Sequence, residues 1–309
     1  MKTAVTIRNL VKTFGDVCAV NHLNLDVPEG SIYGFLGPNG SGKTTTLKML
    51  VGMTEPDSGE IELFGNKVVY GNDAFREDIG FLPDVPGFYD WMTAKEFLQF
   101  SGSLYHIDPS VLQPRIQELL TMVGLTKSAN KRIGGFSRGM KQRLGIAQAL
   151  VNDPKIILLD EPVSALDPIG RKEVMEIIGK LAGKVTVFFS THILADVERI
   201  CDRVIIIKDG KALLEDSIDN IHAMSGARNI EMEFENGGTV PFGAWLETKP
   251  WVESLAIENR RILLKVGDLQ IARTEILQRV SEQGLLLKKF VIAEPTLEDI
   301  FIKAVNAHA

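Results

Sequence analysis

Gly37, Pro38, Asn39, Gly40, Ser41, Gly42, Lys43 and Thr44, followed by Thr45, read G-x-x-x-x-G-K-[ST]. Glycines at these positions let backbone N–H groups turn inward on a phosphate, and a helix opening there adds a favourable field. Lys43 brings a compact positive charge for β- and γ-phosphates, and the Thr44 hydroxyl is a hard oxygen ligand for Mg²⁺. A second acidic element, Asp160-Glu161, ends the apolar run Ile156–Leu159. That edge of a buried strand is where open α/β sheets place their ligands. Asp160 suits Mg²⁺, and Glu161 suits the polarisation of an attacking water, since hydrolysis needs a group that orients the nucleophile.

These residues need elements to hold them. Val5 and Ile7, then Leu23, Leu25 and Val27, alternate as strands do, and Ser31–Leu36 forms a compact apolar strand running into the glycine loop. Helical periodicity then covers Thr44–Val51, Ala94–Tyr105, Ser110–Val123 and Met140–Val151. Beta–alpha alternation resumes with strand Lys155–Leu159, helix Arg171–Leu181, strand Val185–Ser190, helix Ile193–Ile200 and a hairpin turning at Asp209-Gly210. The pattern predicts an α/β fold with a mostly parallel core sheet, an N-terminal antiparallel β part and a helical subdomain over about residues 84–152. After Glu215 strands and a helix alternate differently: Ile230–Phe234, Val252–Ile257, Ile262–Val266, helix Ile271–Gln283, strand Leu285–Ile292 and a terminal helix opening at Pro295. Residues 1–215 are thus expected to form one domain and residues 216–309 a small α+β domain.

Composition narrows the setting. With 309 residues, 45% apolar and 24% charged, the chain has globular composition and a sizeable core. A net charge of −6 argues against broad nucleic-acid binding, which needs a basic face. Two cysteines, Cys18 and Cys201, fit neither a disulfide framework nor a zinc cluster, so a reducing compartment is expected. The apolar runs are strand-sized, well below the ~20 residues that span a bilayer, and the N-terminal segment reaches Arg8 too soon for a signal-peptide core. Any membrane role must come through a partner.

Between the two acidic and glycine-rich elements lies Gly134-Gly135-Phe136-Ser137-Arg138-Gly139-Met140. Together with Asp160-Glu161, Ser164-Ala165-Leu166-Asp167 and Ser190-Thr191-His192, this order resembles the ATP-binding subunits of ABC transporters over residues 1–215. The resemblance implies ATP and Mg²⁺ as cofactors and a dimer, of identical or similar subunits, that clamps two ATP. Ser137, Arg138, Gly139 and Met140 would face the γ-phosphate held by the opposite subunit, and Asp167 would cross the interface. His192 would contact the γ-phosphate beside Glu161, and Phe14 would stack on adenine. Asp84 stands where the family usually has glutamine, and a carboxylate there is a candidate Mg²⁺ ligand that cannot donate as an amide does. The signature also departs from the usual Leu-Ser-Gly-Gly-Gln. These departures, with a Leu297-Glu-Asp-Ile-Phe301 C-terminus, resemble the ABC-2-type exporter ATPases.

In that family the surface after the Asp84 position receives a short cytoplasmic helix of the membrane permease, so Phe88, Tyr89 and Trp91 are expected to line the dock. The resemblance implies an ATPase on the inner face of the cell membrane that powers export by a separate permease, with no nucleic acid expected. Two other readings compete. A soluble ABC ATPase acting on nucleic acid or ribosomes would carry paired cassettes or basic arms, and a P-loop kinase would have no use for Ser137–Met140.

Overall fold

The computed structural model describes residues 2–72, 74–164, 166–225, 229–235, 239–293 and 297. Two units divide the chain, the first running to Ile218 and the second starting at Asp219.

The first unit opens on two long antiparallel strands, β1 (Thr3–Phe14) and β2 (Val17–Pro28). Their alternating apolar residues meet across the ladder, with Val5 opposite Val27, Ile7 opposite Leu25 and Leu10 opposite Leu23, all buried. Strand β3 (Ile32–Leu36) is buried along its whole length and leads through the glycine loop into α1 (Lys43–Leu50). Strands β4 (Ser58–Leu63) and β5 (Asn66–Lys67) then complete an antiparallel sheet in the order β2-β1-β4-β5.

After β6 (Ile79–Leu82) the chain turns helical, through α2 (Ala94–Leu104), α3 (Pro109–Met122) and α4 (Arg138–Ala149). Each start has a local cause. Thr93 and Glu96 form a reciprocal capping box on α2. Asp108 caps α3 ahead of Pro109, whose missing N–H costs nothing at a first helical position.

The core sheet continues with β7 (Ile156–Asp160), α5 (Pro168–Gly179), β8 (Thr186–Thr191), α6 (Leu194–Ile200), β9 (Arg203–Lys208) and β10 (Lys211–Ser217). Its order is β10-β9-β3-β8-β7-β6. Every pair is parallel except the last hairpin, β9–β10. Such strands are covered on both faces, which is why β7 and β8 read as unbroken apolar runs rather than alternating ones. The arrangement agrees with the expected mixed α/β class. Among the described residues no helix is long and apolar enough to cross a membrane.

The second unit opens within α7 (Ile218–Ser225) and continues with β11 (Asn229–Phe234), α8 (Thr239–Glu247), β12 (Val252–Glu258), β13 (Arg261–Val266), α9 (Leu269–Glu282) and β14 (Leu287–Ala293). Its antiparallel sheet runs β12-β13-β11-β14. Ile230, Met232 and Phe234 point to a core shared with Phe242 and Leu246 of α8 and Ile276 of α9. Glu231 and Glu233 alternate to the other face and pair with Lys289 and Lys288. Helices α7 and α8 go beyond the sequence expectation. In α8, Pro241 sits in the first turn, where no N–H is needed. A Cβ on Gly243 would come within 2.3 Å of Ile257 Cδ1. Close packing against β12 therefore selects glycine, and the helix is disguised as a loop. The terminal helix expected from Pro295 lies outside the described residues.

Cys18 is exposed on β2 and Cys201 is buried. Burial pushes the Cys201 thiol well above its ordinary range.

Candidate functional site

The glycine loop is walled by its own fold. Gly40 and Gly42 have φ of 81° and 102°, in the region that favours glycine. A Cβ on Gly42 would lie 2.2 Å from the Ala19 carbonyl oxygen, and one on Gly37 would lie 2.5 Å from that of Ile207. Strands β2 and β9 therefore press the loop into shape. Since α1 begins at Lys43, the amides of its first turn have no intrahelical partner and face the hollow of the loop. Ser41 Oγ is buried there and makes no hydrogen bond among the described residues. Thr44 is exposed and Thr45 half-buried, both at the loop's mouth.

Lys43 folds back under the loop, donating to the carbonyls of Gly37 (2.7 Å) and Pro38 (3.1 Å). Its ammonium lies 3.2 Å from Glu161 Oε1, and the lysine side chain is only 5% exposed. A buried charge of this kind persists only when paired and hydrogen-bonded. On the other side of Glu161, Oε2 lies 2.9 Å from His192 Nδ1. Three residues expected separately from the sequence are thus joined in one chain of polar contacts.

The backbone that delivers Glu161 is unusual. Its φ is 46°, a strained conformation for a residue with a side chain, costing about 1–3 kcal/mol. Ser190 holds it. The parallel register sets Asp160 beside Ser190. The serine hydroxyl donates to Asp160 Oδ1 at 2.7 Å and accepts the Glu161 N–H at 2.9 Å. Ser190 is fully buried and Asp160 nearly so. The sequence reading used Ser190 only as part of a motif. Its position at the end of the strand neighbouring β7 is the signal for this bracing role.

The signature loop is built differently. Ser137 caps α4, its Oγ accepting the Met140 N–H at 3.2 Å. Ser137 and Arg138 are exposed, while Gly139 and Met140 are half-buried. The loop is anchored to the helical part by Gly134 N–H on Asp90 O, Ile133 N–H on Met92 O and a Lys141–Asp90 ion pair at 3.0 Å. Among the described residues, no hydrogen bond or ion pair joins residues 137–140 to residues 37–45, Glu161 or His192. The structure does not bring these two groups together within the chain.

Asp167 caps α5 by accepting the Gly170 N–H at 2.9 Å and is otherwise exposed. Asp84 is half-buried, and its Oδ1 accepts the Ser164 hydroxyl. Phe14, at the end of β1, is 52% exposed beneath the Lys12 ammonium. Phe88 packs edge-on against Phe97, and Tyr89 against Phe100. These rings border a cavity of about 650 Å³ that Leu104 and Met53 also line. Trp91 lies beside Tyr89, with ring centroids 6.0 Å apart and the planes tilted by 43°, and is 66% exposed.

Comparison with known proteins agrees with this geometry. The pattern of the family described as "ABC transporter" matches residues 20–164, and that of "ATP-binding protein DrrA1-3-like, C-terminal domain" matches residues 217–305. An uncharacterized ABC transporter ATP-binding protein of Bacillus subtilis, YxlF, is 40% identical over 98% of this chain and all of its own length. The bacitracin transport ATP-binding protein BcrA of Bacillus licheniformis is 37% identical over 99% of this chain and 98% of its own. Among solved structures, a dimeric, post-hydrolysis form of the ATP-binding cassette MJ0796 bound to ADP and Pi is 29% identical. It superposes with a TM-score of 0.62 over 69% of this chain and 98% of its own. The walled phosphate loop, the acidic strand end and these likenesses along the whole length lead to one conclusion: the chain belongs to the ATP-binding subunits of ABC transporters, in the ABC-2-type exporter branch.

Proposed function

We propose that this chain is a two-site ATPase that works as a dimer, each site combining the phosphate loop of one subunit with the signature loop of the other. The observation that carries the reading is the contrast between a wired Lys43–Glu161–His192 group and a Ser137–Met140 loop, exposed at Ser137 and Arg138, that has no hydrogen bond or ion pair to that group among the described residues. The dimeric form of MJ0796 supports it.

In this reading the loop amides and Lys43 hold β- and γ-phosphates, and Phe14 offers its open ring face to adenine. Lys43 and His192 fix the Glu161 carboxylate from both sides, so its oxygen is aimed before a water arrives. Ser137 and the Gly139 N–H, at the positive end of α4, complete the γ-phosphate shell from the other subunit. Arg138 and Met140 flank that contact, and Asp167 reaches across the interface.

For Mg²⁺, the oxygen donors present are the Thr44 hydroxyl and the Asp160 and Asp84 carboxylates. No cluster of three or more His, Cys, Asp or Glu that could cage a metal exists among the described residues. That fits an ion which arrives with its nucleotide, keeps several waters and needs only one or two protein oxygens. Bound there, it would neutralise charge on the β- and γ-phosphates.

Phe88, Tyr89 and Trp91 supply the seat for a membrane permease, which places the chain on the cytoplasmic face of the membrane as an export motor. An aromatic cluster beside a large cavity, half-buried at Phe88 and exposed at Tyr89 and Trp91, suits an interface core. BcrA's role in bacitracin transport supports export as the coupled work.

The test is Glu161→Gln. The expected variant binds ATP, loses hydrolysis by about 100-fold or more, and accumulates as an ATP-bound dimer in light scattering. Near-normal turnover would refute the assignment.

A further inference from the structure

Phe14 stands at the tip of the β1–β2 hairpin, opposite Val17. Both side chains are exposed there, Phe14 by 52% and Val17 by 66%. The strand that carries Val17 also walls the phosphate loop, since the Ala19 carbonyl faces Gly42. It is tied down on that side by the Asn21 N–H, which donates to the Gly210 carbonyl at 2.9 Å. The tip is therefore held beside the loop that would carry the phosphates.

Asp57 holds the hairpin from β1. It directly precedes β4, whose Ser58 pairs with Val11, and its own N–H donates to the Val11 carbonyl at 2.9 Å. The β1–β2 ladder is irregular on both sides of Lys12, and such a bulge re-aims the side chains that follow it. At that point one carboxylate grips two successive residues. Asp57 Oδ2 accepts the Thr13 N–H at 2.7 Å, and Oδ1 accepts the Lys12 ammonium at 2.8 Å.

Lys12 is thus pinned where a surface lysine would otherwise roam. Only 16% of its side chain is exposed, and its ammonium stands over the Phe14 ring, 5.5 Å from the centroid. One face of the ring is occupied by a cation, and the rest is open. A cation on one face attracts the π-density of the ring and leaves the opposite face a better seat for an electron-rich aromatic partner.

We propose that Lys12 is a positioning residue for the nucleotide base. Pinned by Asp57, it holds one face of the Phe14 ring and turns the other to the purine. The proposal rests on the reading of Phe14 as the adenine platform given above.

The test compares two competitive inhibitors of ATP hydrolysis by the whole chain: Mg-AMP-PNP, which carries a base, and Mg-tripolyphosphate, which does not. Lys12→Met should raise Ki for Mg-AMP-PNP, and KM for ATP with it, by about five-fold or more. Ki for Mg-tripolyphosphate should stay unchanged, and kcat within about two-fold of the wild type. Lys12→Arg, which keeps a cation over the ring, should behave as the wild type. In a Phe14→Ala background, Lys12→Met should add nothing further.

An unchanged Ki for Mg-AMP-PNP in Lys12→Met overturns the proposal. So does an equal rise for both inhibitors, which would put Lys12 to work on the phosphates. Equal impairment of the methionine and arginine variants, or full additivity with Phe14→Ala, overturns it as well. Phe14→Ala alone separates the two ideas. If it leaves Ki for Mg-AMP-PNP unchanged, the reading of Phe14 falls. If it weakens Mg-AMP-PNP alone while Lys12→Met behaves as the wild type, only the Lys12 proposal falls.

Discussion

Residues 37–45 and 137–140 are both loops at helix N-termini, and both were singled out for phosphate. Their surroundings could hardly differ more. In the first, every unusual residue has a reason inside the chain: Gly42 is pressed against Ala19, and Lys43 is wired to two carbonyls and Glu161. In the second, Gly139 has an ordinary φ, and a Cβ there would find its nearest neighbour, the Gly170 Cα, at 3.8 Å. Among the described residues nothing calls for glycine at that point. The difference teaches that one loop is shaped from within, whereas the other keeps its surface clear for something that arrives from outside.

The strongest way to break this comparison is complementation. Lys43→Ala and Ser137→Arg should each lose ATPase activity by about 100-fold or more on their own. Mixed in equal amounts, they should recover to about a quarter of the wild-type rate, since half the dimers are mixed and each holds one intact site. No recovery in a steady-state phosphate-release assay would mean that the two loops do not serve one site in trans.

A smaller but sharper contrast comes from the two glycines. Gly42→Ala should lower stability by about 2–3 kcal/mol, through its positive φ and the Ala19 clash. Gly139→Ala should leave calorimetric stability equal or up to about 1 kcal/mol higher, because alanine is the better helix former, yet still lower ATPase activity. Equal destabilisation of the two would erase the distinction drawn above.

The smallest effect on the isolated chain is expected at the aromatic loop. Trp91→Ser should change stability by no more than about 0.5 kcal/mol, as exposed substitutions do. It should nevertheless remove stimulation of ATPase by co-purified permease in detergent or nanodiscs.

Much of this was legible without coordinates, because the signals were local. The phosphate loop is a contiguous motif between a strand and a helix. The carboxylates end an apolar run, and the parallel strands announce themselves by unbroken apolar character. What the sequence withheld depends on register between distant strands. Ser190 braces Glu161 only because β8 lies beside β7 in one register. Ser164 meets Asp84 only because β6 does the same on the other side. Lys43, Glu161 and His192 can each be suspected from a motif, but their junction is a property of the sheet. Helix α8 was hidden for the opposite reason: its local signals, Pro241 and Gly243, point away from helix, and packing against β12 overrides them.

The exposure of Cys18 has a practical consequence. Its neighbour Ala19 forms a wall of the phosphate loop, while Cys201 is buried with its thiol kept protonated. A maleimide dye added to the folded wild-type chain therefore has one accessible thiol among the described residues, and it stands one residue from Ala19, whose carbonyl faces Gly42 of the phosphate loop. The chain carries its own labelling handle, so real-time recording of occupancy needs no engineered cysteine and no background removal of native ones.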